Sequence, residues 1–389
     1  MTYLVGIDAS KYKHDYLIAD EKGECLYGPY SFENNEHGFK IFLSVLEDLK
    51  PNKIKIGFES TGHYTMNLKI FLEDKDYDYM EINPLLIKNY IKSCSLRKTK
   101  TDKKDSSWIA KYLSVVDYKP YPKKFYHLFC LKSLTRLRHS FIEDRSKQLN
   151  KLTRTLDLIF PEIKPYFDEK FTSSLIYILD NYLTPEHIKR MTIDSYNKMK
   201  CELKHTISYQ RFCEVKELAK NTVGVSNPLL DIEIRTLIDL YKSLNDQISN
   251  LEKTIEELMM HCPFKTVGVK GIGIQSAAVI ISEIGDFKRF EKPSQLLSFI
   301  GLDPAEYQSG TEDHKGHMVK HGSSYLRYTI MNVAETFYVH NPVISDYYWK
   351  KRNEGKSHRV ALSHVARRLI YIIHFLETNN IDFDQTKLR

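Results

Sequence analysis

Four carboxylates stand at positions from which they could act together on a phosphodiester. Asp8 lies in the apolar run YLVGIDAS, Glu59 closes a second run, KIKIGFES, and Asp102 and Asp105 open the helix-like stretch TDKKDSSWIAKYL. An Asp on a central strand can hold divalent cations between itself and acids on neighbouring elements. Two such ions stabilise both the attacking and the leaving oxygen of a phosphodiester. Mg²⁺, with Mn²⁺ as its substitute, is the cation that a hard, all-oxygen set selects. Asp102 and Asp105 are three residues apart and share a helix face, so both can address one ion. Lys92, Arg97, Lys98, Lys100, Lys103 and Lys104 crowd the same segment, as suits a place where metal and phosphate meet. Taken singly, Asp102 reads as an N-cap and Asp105 as its capping-box partner. The four acids together, with the strand order below, favour the metal reading.

The elements that must position these acids are legible as alternating strand and helix signals over residues 1–115. YLVGIDAS and HDYLIAD read as neighbouring strands, and Glu21-Lys22-Gly23 turns the chain into a third, ECLYGPYSF. Phe39, Phe42, Leu43, Leu46 and Leu49 then recur at helical spacing. The strand KIKIGFES, a helix around Met66 to Glu73, the strand YDYMEIN and two further helices follow. Three strands in a meander and then helix, strand, helix, strand, helix give an α/β layout with a mixed sheet. This is the order of a ribonuclease-H-like core.

Length and composition set the frame. A chain of 389 residues is long for one domain, and 42% hydrophobic residues make it a folded globular protein. The net charge of +7 favours a polyanionic partner without establishing one. The six cysteines (Cys25, Cys94, Cys130, Cys201, Cys213 and Cys262) are scattered with no CxxC pair, which argues against a zinc ribbon or a disulfide framework and for a reducing cytosol. The N-terminus, MTYLVGIDASKYKHD, has no signal-peptide pattern, and no apolar run approaches the length of a membrane span. A soluble cytoplasmic protein is expected.

Strand signals all but vanish over residues 120–262. Leu131, Leu134, Phe141, Leu149, Leu152, Leu156 and Ile159 form the apolar stripe of one long helix; Lys132, Arg136, Arg138, Arg145, Lys147, Lys151 and Arg154 are its basic complement, either a solvated face or a nucleic-acid surface. Ile234, Leu237, Tyr241, Leu244, Ile248, Leu251, Ile255 and Leu258 alternate spacings of three and four, the near-3.5 period of a coiled coil over about 230–260. The polar residues between them favour an exposed helix with a partner, either a second copy of the chain or another helix of the same one. Residues 263–389 read as a second, mostly helical region. Gly271-Ile272-Gly273 there resembles the turn of a helix-hairpin-helix element, whose amides can approach a phosphate backbone. The expected domains are 1–120, 121–262 and 263–389.

GIDAS also opens small kinases of the actin-like superfamily, but no second strand–Asp–Gly–Thr segment accompanies it here. The fuller set of motifs points elsewhere. GIDAS, FESTGHY and RKTKTDKKDS, followed by KGIG, FIGLDPAEYQSG and KHGSSYLRY, resemble in content and order a transposase of the IS110/IS1111 family. That resemblance spans nearly the whole chain. It implies a RuvC-like N-terminal domain whose DEDD acids fall on Asp8, Glu59, Asp102 and Asp105, a helical coiled-coil connector, and a C-terminal transposase domain. It further implies a serine nucleophile, best matched by Ser309 of EYQSG, with Ser323 and Ser324 of KHGSSYLR as rivals. Where the family's turn reads Pro-Gly-Ile-Gly, Lys270 replaces the Pro, and extra sequence surrounds residues 165–225.

The function so implied is a recombinase that excises and inserts a mobile element by serine attack on DNA. It would act as a homodimer or homotetramer joined through the coiled coil, in a bacterial or archaeal cell and associated with the nucleoid. Some family members are directed by a structured RNA; Arg97, Lys98, Lys100, Lys104, Arg136, Arg138, Lys270, Lys320 and Arg327 are the residues expected to contact nucleic acid. The alternative is a metal-dependent RuvC-like nuclease or junction resolvase that cuts with activated water and needs no serine.

Overall fold

The computed structural model describes residues 1–60, 62–94, 102–120, 126–260, 262–309, 312–318, 320 and 322–388, with side chains described for all of these except 63, 102–104, 126, 127 and 304–317. It divides into two units, Met1–His127 and Leu128–Arg389.

In the first unit, strands β1 (Thr2–Ala9), β2 (Lys13–Ala19) and β3 (Cys25–Glu33) form the expected meander. Helix α1 (Glu36–Asp48), β4 (Lys53–Glu59), α2 (Met66–Asp74), β5 (Tyr79–Ile82), α3 (Pro84–Cys94) and α4 (Asp102–Val115) follow. The sheet has five strands in the order β3-β2-β1-β4-β5. β2 is antiparallel to both β1 and β3, whereas β4 is parallel to β1 and β5. This mixed sheet is the one expected of a ribonuclease-H-like, RuvC-like domain.

Strand periodicity divides the core between the two faces of the sheet. Val5, Ile7, Ala9, Tyr16, Ile18 and Phe58 pack with Phe42 and Leu46 of α1 and Leu68 and Leu72 of α2. On the opposite face, Leu4, Leu17, Ala19 and Ile82 meet Ile87 of α3 and Ile109, Ala110 and Leu113 of α4. Helix α4 lies directly on the strand backbone because two adjacent strand residues have no side chain. A Cβ on Gly6 would sit 2.3 Å from the Ser106 carbonyl oxygen and 2.5 Å from the Ala110 nitrogen, and one on Gly57 would lie 2.8 Å from Leu113 Cδ2. Beyond α4, the Tyr118 hydroxyl lies 3.2 Å from the Ile56 carbonyl and 3.1 Å from that of Asp78, tying the chain back to the sheet.

The second unit is built on a long helical hairpin. Helix α5 (Tyr126–Ile159) and the helix Pro228–Met260 run antiparallel. The Arg138 guanidinium donates to Glu252 at 2.8 Å, Arg145 to Asn245 at 2.8 Å, and the Thr155 hydroxyl to Glu233 at 2.9 Å, so each step up one helix is matched by a step down the other. The heptad-like stripe therefore finds a partner in α5 of the same chain. Ile234, Leu237, Ile248 and Ile255 are buried along it, but at its end Met259 is buried and Leu258 is 38% exposed. A straight α-helix drifts about 20° per heptad against a strict 3.5 repeat, which moves the buried position on by one residue.

Between the arms, residues 160–227 fold into a small helical lobe, accounting for the extra sequence. Helices Ser173–Tyr182, Ile193–Glu202 and Tyr209–Lys220 start at the N-caps Thr172, Thr192 and Ser208, whose side chains accept from backbone amides. Their buried Ile178, Met199, Phe212 and Val215 join Leu156 of α5 and Ile234 of the returning helix in one core.

The C-terminal part packs helices Ile274–Ile284, Pro293–Ile300, Ser324–His340, Pro342–Asn353 and His358–Asn379. A hairpin interrupts them, β6 (Pro304–Ser309) paired antiparallel with β7 (Glu312–Met318). Among the described residues no helix is long and apolar enough to cross a membrane. None of the six cysteines is in a disulfide.

Candidate active site

The faces of the sheet place the acids. Leu4, Gly6 and Asp8 alternate onto the face covered by α4, and Gly6 lies beneath Ser106 and Ala110 of that helix. Two residues along β1 from Gly6, Asp8 is carried towards the first turn of α4, where Asp102 and Asp105 stand. Gly6 pairs with Gly57 and Ile7 with Phe58 in parallel register, so Asp8 and Glu59 come one step later on adjacent strands and share that face. Asp8, Glu59 and Asp105 are all half-buried. The Asp102 backbone opens α4; its side chain lies outside the described residues. One observation holds the group together: glycines at the strand crossing let the helix that carries two acids rest on the strands that carry the other two.

The structure adds an acid that sequence reading passed over. Asp15 of β2 is the direct cross-strand neighbour of Asp8, shares its face, and is 1% exposed. It accepts from the Ser31 hydroxyl and pairs with Lys13 at 3.0 Å, which offsets the burial of its charge. The one sequence signal was an acid inside an otherwise apolar strand. On the other face, His14 is fully buried between the Phe32 and Phe39 rings, and burial pushes its imidazole below the usual range, so it stands there as a neutral core residue.

Among the described residues, no three His, Cys, Asp or Glu side chains stand close enough together to hold a metal ion, a search that leaves out Asp102. The donor set is nonetheless all carboxylate oxygen, which fits a hard divalent cation and no softer metal.

Ser309 is the last residue of β6, paired with Glu312 of β7; its side chain lies outside the described residues. Of its rivals, Ser323 is the N-cap of the helix Ser324–His340, accepting from the Leu326 amide at 3.2 Å, and Ser324 is exposed in the first turn. Gly322 before them must be glycine: its φ is +123° and a Cβ would meet the Phe299 carbonyl oxygen at 2.1 Å.

The residues expected to contact nucleic acid separate into groups. Arg97, Lys98 and Lys100 lie outside the described residues, as does the side chain of Lys104 on α4. Arg136 is held by Glu283, at 2.6 Å through Nε and 3.1 Å through Nη2, and Arg138 by Glu252. Burial alone would raise the Glu283 carboxyl; the Arg136 hydrogen bonds and the Lys132 and Arg136 charges outweigh it and hold the group below the usual range. Lys132, at 3.3 Å, completes this cluster, so much of the basic complement of α5 is spent inside the chain. Arg327 donates to the Ile300 carbonyl at 3.1 Å and that of Lys320 at 3.3 Å, clipping the two ends of the hairpin segment together. Lys320 and Lys270 are exposed.

The Gly271 turn follows a 3₁₀ turn, Lys265–Gly268, and leads into the helix Ile274–Ile284. It is seated on the helix Ser324–His340: a Cβ on Gly271 would lie 2.9 Å from Phe337 Cα, and the Thr336 hydroxyl donates to the Gly271 carbonyl at 2.7 Å.

A ribonuclease-H-like sheet with carboxylates on neighbouring strand ends and on the helix that crosses them is an arrangement shared with the class of nucleic-acid phosphodiester enzymes that use a divalent metal. Comparison with known sequences narrows this. A family described as "Transposase", of the IS110 DEDD type, matches residues 5–161, and the "Transposase IS116/IS110/IS902 family" matches residues 268–349. The chain is 24% identical to the "Insertion element IS116 uncharacterized 44.8 kDa protein" of Streptomyces clavuligerus over 95% of its own length and 93% of that relative's. It is 22% identical to the "Pilin gene-inverting protein" of Moraxella bovis over 98% and 97%, and 30% identical to the "Insertion element IS110 uncharacterized 43.6 kDa protein" of Streptomyces coelicolor over 37% and 36%. The chain belongs to the IS110 family of transposases, enzymes that recombine DNA.

Proposed function

We propose that the protein excises and inserts its own mobile element by covalent strand transfer, with Ser309 as nucleophile and Asp8, Glu59, Asp102 and Asp105 as ligands of Mg²⁺. The observation that supports the reading is the seating of α4 on Gly6 and Gly57, which brings the helix that opens at Asp102 and carries Asp105 onto the sheet face shared by Asp8 and Glu59. Bound there, the cation would stabilise charge on the phosphate and its leaving oxygen. The Ser309 hydroxyl gives up its proton and attacks phosphorus. A serine–phosphate ester forms, one strand oxygen leaves, and that oxygen takes up a proton. Attack by the hydroxyl of a second strand end reverses these bond changes and frees the serine, so the number of phosphoester bonds is conserved. The gene-inverting relative supports rejoining over hydrolysis, since inversion of a segment requires every cut end to be sealed. The protein acts as an oligomer, and a structured RNA that pairs with both DNAs supplies the choice of site.

The test incubates the full chain with element-end DNA, Mg²⁺ and the RNA encoded beside the gene, and looks for a covalent protein–DNA adduct. Wild type is expected to give one, Ser309→Ala none, and Asp8→Asn at least a hundredfold less. An adduct surviving in Ser309→Ala overturns the serine. Hydrolysed ends without an adduct in wild type overturn strand transfer in favour of a water-using nuclease.

A further inference from the structure

The helix His358–Asn379 carries His364, Arg367, Arg368 and Tyr371 at spacings of three, one and three, which puts them on one face. With Tyr347 of the preceding helix, Leu297 and Asp303 they line an open cleft of about 660 Å³, within the range of natural ligand sites of roughly 300–1,000 Å³. None of these residues belongs to the acid site or to the expected nucleic-acid contacts.

The two guanidiniums of this cleft are held by groups other than carboxylates. Arg136, Arg138 and Arg235 are each paired with a carboxylate. Among the described residues neither Arg367 nor Arg368 has such a pair: Arg367 Nε reaches only the Leu302 carbonyl, at 3.4 Å, and the Arg368 guanidinium stacks 5.0 Å over the Tyr347 ring. Stacking holds a guanidinium in place while leaving its in-plane donors free for a planar or tetrahedral anion. Burial, with the positive charges of Lys356, Lys351 and Arg367, pushes the His364 imidazole below its usual range, so at neutral pH the positive charge comes from the arginines. Tyr371 is 45% exposed and offers an aromatic surface to solvent. Asp303 opposes an anion, but its carboxylate can accept from the exocyclic amine of a base. Two guanidiniums with no carboxylate partner among the described residues, an exposed ring and one acceptor match a nucleotide whose base is out of the duplex stack. The place matters as well. Asp303 immediately precedes β6, and Ser309 ends that strand, roughly 20 Å of extended chain away.

We propose that this cleft binds a single-stranded stretch of the DNA to be cut, with a phosphodiester on Arg367 and Arg368 and an unstacked base on Tyr371. It would hold the strand beside the hairpin that presents Ser309. The siting beside the substrate rests on the serine reading above; the binding itself does not.

The experiment measures equilibrium binding of the full chain to a labelled single-stranded oligonucleotide of the element end, to its RNA equivalent and to the duplex, over a salt series. Tyr371→Ala is expected to weaken single-stranded DNA binding about 5- to 150-fold, the range of one lost base stack, and Tyr371→Phe to restore it. Arg368→Gln is expected to lower the salt slope by about 0.7, one phosphate contact on a single strand. Lys253→Gln, an exposed cation on the long helical hairpin, serves as the control and leaves DNA binding unchanged. Unaltered affinity and slope in Tyr371→Ala and Arg368→Gln overturn the proposal. Loss confined to RNA overturns the DNA assignment. If Arg368→Gln melts early, the Tyr371 pair decides alone. Ser309→Ala should bind like wild type while giving no adduct, so the cleft and the nucleophile stand or fall separately.

Discussion

At the scale of single residues, Glu283 shows how a charge can be put in the core of this protein. Its side chain is 1% exposed, yet Arg136 meets it with two hydrogen bonds and Lys132 adds a third charge. Breaking a fully buried pair costs about 3–5 kcal/mol. Arg136 is 43% exposed and can rehydrate, so Glu283→Ala is expected to cost less, about 2–3 kcal/mol in chemical denaturation. The pH dependence has a definite sign. The folded pKa lies below the unfolded value of 4.5, so the stabilisation is full above about pH 4.5 and is lost as pH falls through the folded value. The stability gap between wild type and Glu283→Gln should therefore narrow on acidification below that point; a gap that widens there contradicts the assignment. The cluster was invisible in the sequence because Lys132 and Glu283 are far apart along the chain, and nothing in an amphipathic helix says which of its charges is solvated. The places of Asp8, Glu59, Asp102 and Asp105 in the fold were legible for the opposite reason. Each sits at a change of periodicity, where a strand ends or a helix begins.

At the scale of elements, the consequential contact is α4 on β1. Helix and strand meet backbone to backbone, and the glycine there is required by space rather than by dihedral angle. Gly6→Ala should push α4 outward and so move Asp102 and Asp105 away from Asp8 and Glu59. We expect adduct formation to fall at least tenfold while circular dichroism keeps its native shape. Full activity in a folded Gly6→Ala protein would mean that the helix need not be seated for the acids to work. Strand order and helix order were readable because alternation with period two and recurrence at 3.6 residues are local signals. The partner of the helix Pro228–Met260 was not, since a stripe reveals a face and never what covers it. The cleft residues from Leu297 to Tyr371 escaped for a related reason: three separate helices and the loop at Asp303 supply them. The β6–β7 hairpin escaped because its sequence, EYQSGTEDHKG, is too polar to alternate.

At the scale of the whole molecule, the two units have cores of different kinds. The first is a sheet with apolar layers on both faces, and the second is helical, with a lobe closed by Leu156, Ile178, Phe212 and Ile234. Calorimetry of the full chain should resolve two transitions. Phe58→Ala, emptying a fully buried site in the sheet, should shift one, and Ile178→Ala the other, each costing about 2–5 kcal/mol. A single transition moved by both would show that the units unfold as one.

The paired arms of the second unit also fix a length. Residues 160–227 are carried at the closed end of the hairpin, and cross-links such as Arg138 to Glu252 and Arg145 to Asn245 keep the arms in step. Seven residues added to both arms would repeat the pattern of contacts and carry the lobe outward by about 10 Å, at 1.5 Å per residue. Four residues added to one arm would set every rung against the wrong partner. The hairpin is thus a ruler, and related chains can reset the reach of that lobe only by paired insertions.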